Sequence, residues 1–176
     1  MISAEEALQR LKEGNEFFVN ASSIAIETGE DQRQQLVGAQ APFAIILGCS
    51  DSRVPAELVF HCGLGELFVI RVAGNVVAPS QIGSVEFAAA TFGTPLVVVL
   101  GHSLCGAIQA TVDQLKRPTD QRSPNLRAIV DRISPAIAPL VENFHDADES
   151  SLVSASVKAN VLASVDKLVH LSLIHI

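Results

Sequence analysis

The run ILGCSDSRVP, residues 46–55, joins an apolar segment to a set of reactive side chains. Residues 43–47 are continuously apolar and lead into a glycine, which is the pattern of a strand buried on both faces. Cys49, Asp51 and Arg53 follow directly. In open sheets of parallel strands, ligands bind at the carboxyl ends of the strands. A thiol, a carboxylate and a guanidinium in this position therefore indicate a functional site.

Two further apolar runs predict the rest of the sheet. They are rich in valine and isoleucine, each is bounded by glycine or proline, and helix-like segments separate them. Strands that alternate with helices predict an α/β fold with a parallel sheet. We expect three layers, with helices flanking a central, mainly parallel sheet whose strands lie near 43–48, 66–72 and 96–101.

The helices follow from caps and periodicity. Ser3 and Glu6 have the spacing of a capping box, which predicts a first helix from Ala4 to about Val19. Later helices are expected at 31–38, 56–60, 81–92, 104–115, 126–143 and 150–170. Pro135 and Pro139 are expected to break the pattern of the helix at 126–143.

Composition limits the classes of function. The 176 residues suffice for one domain with a real core, and we predict a single domain over 1–176. With 48% hydrophobic and 18% charged residues the chain is too apolar for disorder. A net charge of −7 without a basic run argues against a nucleic-acid partner. No apolar run reaches the roughly 18 residues that span a bilayer, so no membrane partner is expected.

The cysteines indicate metal binding or catalysis. No secretion signal is visible, so we expect a cytoplasmic protein, in which thiols stay reduced. His102 and Cys105 follow the third strand with the spacing H-x-x-C, and on the first turn of a helix both would face one point. Cys49 would add a third ligand from the neighbouring strand end. Each residue taken singly is more often an ordinary core or loop residue. Together they form a zinc set with an open fourth position, as in catalytic sites.

Three segments of the chain resemble the β-class carbonic anhydrases, in particular their plant-like, open-site subtype. They are CSDSR at 49–53, RVAGN at 71–75 and GHSLCG at 101–106. The resemblance runs from the first helix to about residue 170. It implies one zinc ion per chain and the reversible hydration of CO2 to bicarbonate and a proton, by attack of zinc-bound hydroxide on CO2. CO2 and bicarbonate would be the small-molecule partners.

The resemblance also implies roles for the residues around the metal. Asp51 would orient the hydroxide and Arg53 would hold the Asp51 carboxylate; a released Asp51 would take the fourth metal position and stop catalysis. The alternative for this dyad is an ordinary local ion pair. The substrate pocket would contain Gln40, Phe68, Ala73 and Phe87. Without the resemblance, Gln40 reads as an exposed loop residue and the two phenylalanines as core.

Two places depart from the family pattern. His61 and Cys62 stand where family members usually carry Asp-Gln, and we interpret them as a peripheral substitution rather than a second metal pair. Residues 171–176, LSLIHI, match nothing in the family, whose members continue into further strands. We therefore expect a domain that is incomplete at its C-terminus and lacks the edge strands of the family.

Alternatives to CO2 hydration remain open at the level of sequence. One is a CS2 or COS hydrolase on the same zinc scaffold, and another is an inactive, truncated zinc-binding protein. The resemblance further implies a homodimer or higher homo-oligomer. Its active site would lie at the dimer interface, with the N-terminal helix reaching across to the partner.

Overall fold

The computed structural model describes residues 2–20, 28–118, 123–143 and 148–171, and it confirms the α/β fold. Its sheet contains β1 (Ala44–Gly48), β2 (Leu67–Arg71) and β3 (Val97–Leu100) in the order β2-β1-β3. Both pairs are parallel, with Gly48 opposite Arg71 on one side and opposite Leu100 on the other. Every residue of β1 is buried. The carboxyl ends of the three strands therefore meet at one edge of the sheet.

Helices surround this sheet. They are α1 (Ala4–Val19), α2 (Glu30–Gln35), α3 (Ala56–Val59), α4 (Pro79–Phe92), α5 (Gly106–Lys116), α6 (Pro124–Asn143) and α7 (Glu149–Leu171). A one-turn 3₁₀ helix, Ala73–Asn75, follows β2. Apolar clusters lie on both faces of the sheet, and a third lies between α5, α6 and α7.

The predicted helices are present, although α2 ends at Gln35 rather than at 38, and two further differences have physical causes. The capping box of α1 forms, since Ser3 Oγ accepts from the Glu6 amide and the Glu6 carboxylate accepts from the Ser3 amide. Helix α6 continues through Pro135 and Pro139. Its buried face packs between α5 and α7, and this packing outweighs the backbone bonds that the prolines remove. Helix α5 begins later than predicted, because a turn precedes its first residue.

The N-terminal helix packs on its own chain. Ala7 and Leu11 are buried in the cluster that covers one face of the sheet, and Asn15 Nδ2 donates to the carbonyl of Val59 at 3.0 Å. The resemblance had implied that this helix reaches across to a partner. The opposite face of α1 is exposed along its length, at Leu8 as well as at Phe18 and Val19, so it remains available for such a contact.

The docking of α1 yields a prediction about two helical glycines. A β-carbon at Gly14 would collide with the carbonyl oxygen of Phe60, whereas one at Gly83 of α4 would meet nothing within 4 Å. We expect Gly14→Ala to destabilise the chain by about 3 kcal/mol through overpacking. Gly83→Ala should stabilise it by about 0.5–1 kcal/mol, because alanine suits a helix better than glycine. Urea denaturation of both variants checks this; equal midpoints for the two would contradict the close approach.

Residues 172–176, most of the unmatched tail, are outside the described residues. Among the described residues no helix has the length and hydropathy needed to cross a membrane.

Candidate metal centre

Three potential metal ligands converge at the carboxyl edge of the sheet. Cys49 follows β1, His102 follows β3, and Cys105 is the N-cap of α5. Their ligating atoms all lie within 4.8 Å of one another, and the two sulfur atoms are 3.9 Å apart. The two thiols are buried and unbridged. The predicted constellation is therefore assembled in space, and it can hold a metal ion.

The backbone brings His102 and Cys105 together by a turn, not by a helix face. Leu104 has a φ of 56°, in the left-handed region that leucine rarely adopts, and α5 starts only at Gly106. The expectation that both ligands lie on the first turn of a helix is wrong for this reason. The turn reverses the chain after His102, so the imidazole and the Cys105 thiol approach the same point.

The imidazole of His102 has one nitrogen engaged and one free of hydrogen bonds. Nδ1 lies 2.8 Å from the carbonyl oxygen of Ser103, and because a carbonyl only accepts, this contact requires a proton on Nδ1. Nε2 is buried and has no hydrogen-bond partner among the described residues. Its lone pair is therefore available, which is the usual arrangement of a histidine that binds a metal.

The donor set fits zinc. Tetrahedral zinc with Zn–S bonds of about 2.3 Å holds two sulfur ligands about 3.8 Å apart. The observed sulfur separation of 3.9 Å agrees with that value. Two thiolates and one imidazole also match the preference of zinc for nitrogen and sulfur ligands, and three protein ligands leave a fourth position for water or substrate.

The two thiols do not ionise alike. Their mutual hydrogen bond lowers the pKa of Cys49, and the Gly74 amide adds to this effect against the opposing influence of burial. The same hydrogen bond, together with burial, raises the pKa of Cys105. Cys49 is thus the thiol that ionises first, and a bound cation would be needed to keep both in the thiolate form.

Asp51 and Arg53 form a bidentate ion pair beside the three potential metal ligands. Arg53 Nε donates to Oδ1 at 2.8 Å and Nη2 donates to Oδ2 at 2.7 Å, while the Arg53 amide also donates to Oδ1. These bonds hold the pKa of Asp51 well below its usual range, so the carboxylate is ionised. Its Oδ2 lies 3.9 Å from His102 Nε2. The carboxylate therefore borders the ligand cluster but is turned to the guanidinium.

Sequence reasoning missed the backbone contacts that hold this arrangement. Arg71 Nε donates to the carbonyl of Cys49 at 2.9 Å and its Nη2 donates to the carbonyl of Asp51 at 2.6 Å. Arg53 also donates to the carbonyl of Leu104 at 3.1 Å. Arg71 belongs to the quoted RVAGN segment, but nothing in the sequence says that it binds the loop after β1.

The turn after β2 also contacts a ligand. The amide of Gly74 donates to Cys49 Sγ at 3.3 Å, and Ala73 precedes it in the same turn. Gly74 has a φ of 70°, and a β-carbon there would come within 2.8 Å of Ile133 and 3.0 Å of Ala107. Glycine is thus required both by backbone conformation and by space. Of the four predicted pocket residues, Ala73 is the one that this turn places near the metal ligands.

The other predicted pocket residues are not at the metal ligands of the same chain. Phe68 pairs with Ile45 in the sheet, four residues before Cys49, which is about 13 Å along a strand. Its ring contacts those of Phe87 and Phe92, with centroids 6.2 and 6.0 Å away. Gln40 is exposed and lines a separate groove that also includes Phe92. Their substrate role stays a prediction, and within one chain the structure does not bring them to the site.

His61 and Cys62 do not act together. The His61 ring stacks on Phe17 with centroids 5.1 Å apart, and the Cys62 thiol donates to the carbonyl of Phe60. Burial, with the nearby Glu66 charge, raises the pKa of Cys62 to about 12. This thiol is therefore inert at neutral pH, and neither residue belongs to the metal-binding group found among the described residues.

The fold and site together define a class: an α/β protein with a Cys₂His metal centre at the carboxyl edge of a parallel sheet. The family profile described as carbonic anhydrase matches residues 44–175. The chain belongs to this family, and its solved relatives place it in the β class.

Curated relatives agree with this assignment. The chain is 43% identical over 131 residues to a carbonic anhydrase of Mycolicibacterium smegmatis, covering 74% of this chain and 63% of that protein. It is 41% identical over 133 residues to carbonic anhydrase 2 of Mycobacterium tuberculosis, with the same coverage. The chain thus spans about 63% of the length of these relatives.

Solved structures show the same fold. The β-carbonic anhydrase CcaA superposes with a TM-score of 0.70 at 26% identity, covering 93% of this chain and 74% of that one. The Coccomyxa β-carbonic anhydrase gives a TM-score of 0.72 at 23% identity, covering 96% of this chain and 73% of that one. These structures support the fold. The evidence for a function comes from the residues of this chain's own candidate metal centre.

Proposed function

We propose that this chain catalyses the zinc-dependent, reversible hydration of CO2 to bicarbonate, with Cys49, His102 and Cys105 as the zinc ligands. The observation that carries the proposal is the buried Cys₂His cluster with an ionised Asp51 at its border, on the fold of the carbonic anhydrase family. Bound zinc supplies Lewis acidity, which lowers the pKa of water enough for a hydroxide nucleophile to exist near neutral pH.

The residues around the ligands have complementary roles in this proposal. Ser103 fixes the His102 ring so that Nε2 faces the cluster. Arg53 keeps Asp51 ionised and oriented, so that the carboxylate accepts a hydrogen bond from the attacking hydroxyl and turns an oxygen lone pair toward CO2. While Arg53 holds both carboxylate oxygens, Asp51 cannot itself act as the fourth ligand.

We further propose a homodimer in which a second copy supplies Gln40, Phe68 and Phe87 to the site. The supporting observation is an exposed apolar surface around the rings of Phe68, Phe87 and Phe92. Phe87 is 54% exposed, and Val37, which shares a groove with Phe92, is 86% exposed. Apolar surface of this kind marks interaction sites, and a pocket of rings suits apolar CO2. The proposed compartment is the reducing cytoplasm, because all three cysteines are free.

Stopped-flow CO2 hydration with zinc quantified on the same sample tests the proposal. We expect one zinc per chain and turnover at mildly alkaline pH that is orders of magnitude above the uncatalysed rate. Zinc binding without CO2 turnover would refute the proposal; hydrolysis of CS2 or COS in its place would identify the alternative hydrolase.

A further inference from the structure

Helix α7 carries a buried polar stripe that the proposed reaction does not use. Ser156, Asn160 and Ser164 are spaced four residues apart, so they lie on one face of the helix, and each is at most 3% exposed. Burying polar groups is unfavourable unless they are hydrogen-bonded. The hydrogen-bond partners of these three side chains therefore indicate their role.

Two of the three side chains bind the same short turn. Asn160 Nδ2 donates to the carbonyl of Gly74 at 2.8 Å, and Ser164 Oγ donates to the carbonyl of Asn75 at 3.0 Å. Ser156 Oγ has no hydrogen-bond partner among the described residues. The stripe thus makes two consecutive bonds to the turn after β2, and its third member makes none.

This turn needs external support. Gly74 and Asn75 have φ values of 70° and 43°, so two successive residues occupy the left-handed region. A non-glycine residue persists there when its surroundings hold it. The carbonyls that α7 binds belong to these two residues, and a hydrogen bond to a carbonyl restrains the ψ angle of its residue.

The same turn after β2 also contacts a proposed metal ligand. The amide of Gly74 donates to Cys49 Sγ at 3.3 Å, while the carbonyl of the same residue accepts from Asn160. A relay of two hydrogen bonds therefore leads from α7 to the thiolate. An N–H donor to a thiolate withdraws charge from sulfur, and weaker donation by sulfur leaves a bound metal more acidic.

We propose that Asn160, assisted by Ser164, is a positioning residue of the metal centre: its bond to the Gly74 carbonyl restrains the backbone of Gly74, and this keeps the Gly74 N–H, on the preceding peptide unit, directed at Cys49. The inference rests on the proposed function in taking Cys49 as a zinc ligand. Outer-shell partners of metal ligands commonly alter affinity by about 10–100-fold. Asn160 acts through one intervening residue, so we expect Asn160→Ala to weaken zinc binding by about tenfold, the lower end of that range.

Two metal readouts test this without turnover. Zinc affinity is measured by competition with a chromophoric chelator, and cobalt(II) is used as a spectroscopic probe of the full chain. Losing the N–H donor leaves sulfur richer in electrons, so the thiolate-to-cobalt charge-transfer band of Asn160→Ala should move to longer wavelength. Ser156→Ala is the matched control, since it removes a buried oxygen one turn away that does not bind the turn.

The outcomes separate this inference from the proposed function. A weakened affinity and a shifted band in Asn160→Ala, with both unchanged in Ser156→Ala, support the relay even if the wild type hydrates no CO2. Equal behaviour of the two variants overturns it even if the wild type is an active hydratase. If Asn160→Ala does not fold, Ser164→Ala takes its place, with an expected two- to threefold loss of affinity; a value equal to that of Ser156→Ala overturns the relay. A wild type that binds neither metal overturns both proposals.

Discussion

Replacing Cys49 by serine is expected to weaken zinc binding severely and to abolish CO2 hydration. The serine hydroxyl is nearly isosteric with the thiol, but it stays protonated at neutral pH and is a poor ligand for zinc in this set. The remaining imidazole and thiolate hold the ion from two sides only. We expect zinc affinity to fall by more than about a hundredfold, beyond the usual effect of losing an outer-shell partner. Metal analysis after dialysis against a chelator, and stopped-flow hydration, measure the two losses.

Cys62→Ser is the matched control for this variant. Cys62 is also buried, and its thiol donates to the carbonyl of Phe60 at 3.3 Å, a bond that a serine hydroxyl can also form. It lies outside the metal-binding group found among the described residues. Zinc content and hydration should therefore be unchanged. Loss of zinc in both variants would show that the effect comes from disturbed packing rather than from a missing ligand.

The strands and the ligand set could be predicted from the sequence because their signals are local. A short, continuous run of Val, Ile and Leu between glycines and prolines has few alternatives to a buried strand. Parallel strands bring their carboxyl ends to one edge of the sheet, which made a shared site for Cys49 and His102 a natural expectation. The structure adds that β1 and β3 are adjacent, so these two residues lie side by side. The cluster seen in the structure follows from this topology.

The turn chemistry and the support of the site could not be predicted, because both depend on tertiary contacts. Nothing in the sequence says that Leu104 would adopt a φ of 56°, and that conformation places Cys105 before the helix rather than within it. Asn160 and Ser164 are small polar residues on a helix, a pattern that usually indicates a solvent-facing surface. Their burial becomes apparent only when α7 packs against the turn after β2.

Replacing Asp51 by asparagine is expected to remove catalysis while leaving zinc bound. The change conserves size but removes the charge that Arg53 binds with two prongs, and the amide nitrogen offers a donor where the reaction needs an acceptor. The three ligands are untouched. A positioned acid–base group typically contributes about 10²–10⁴-fold, and we expect a loss of hydration within that range. Stopped-flow rates normalised to measured zinc content give the effect.

The control for charge is Asp166→Asn on α7. Asp166 is an exposed carboxylate that lies 3.1 Å from His170 Nδ1, so its replacement also removes one negative charge, without involving the metal ligands. Zinc content and hydration should stay at the wild-type level. If Asp51→Asn kept the wild-type rate, the dyad would be an ordinary ion pair. If Asp51→Asn lost zinc, the Asp51–Arg53 ion pair would serve to hold the loop that carries Cys49. Only loss of rate with zinc retained assigns Asp51 a part in the reaction, because its carboxylate borders the ligands without being one of them.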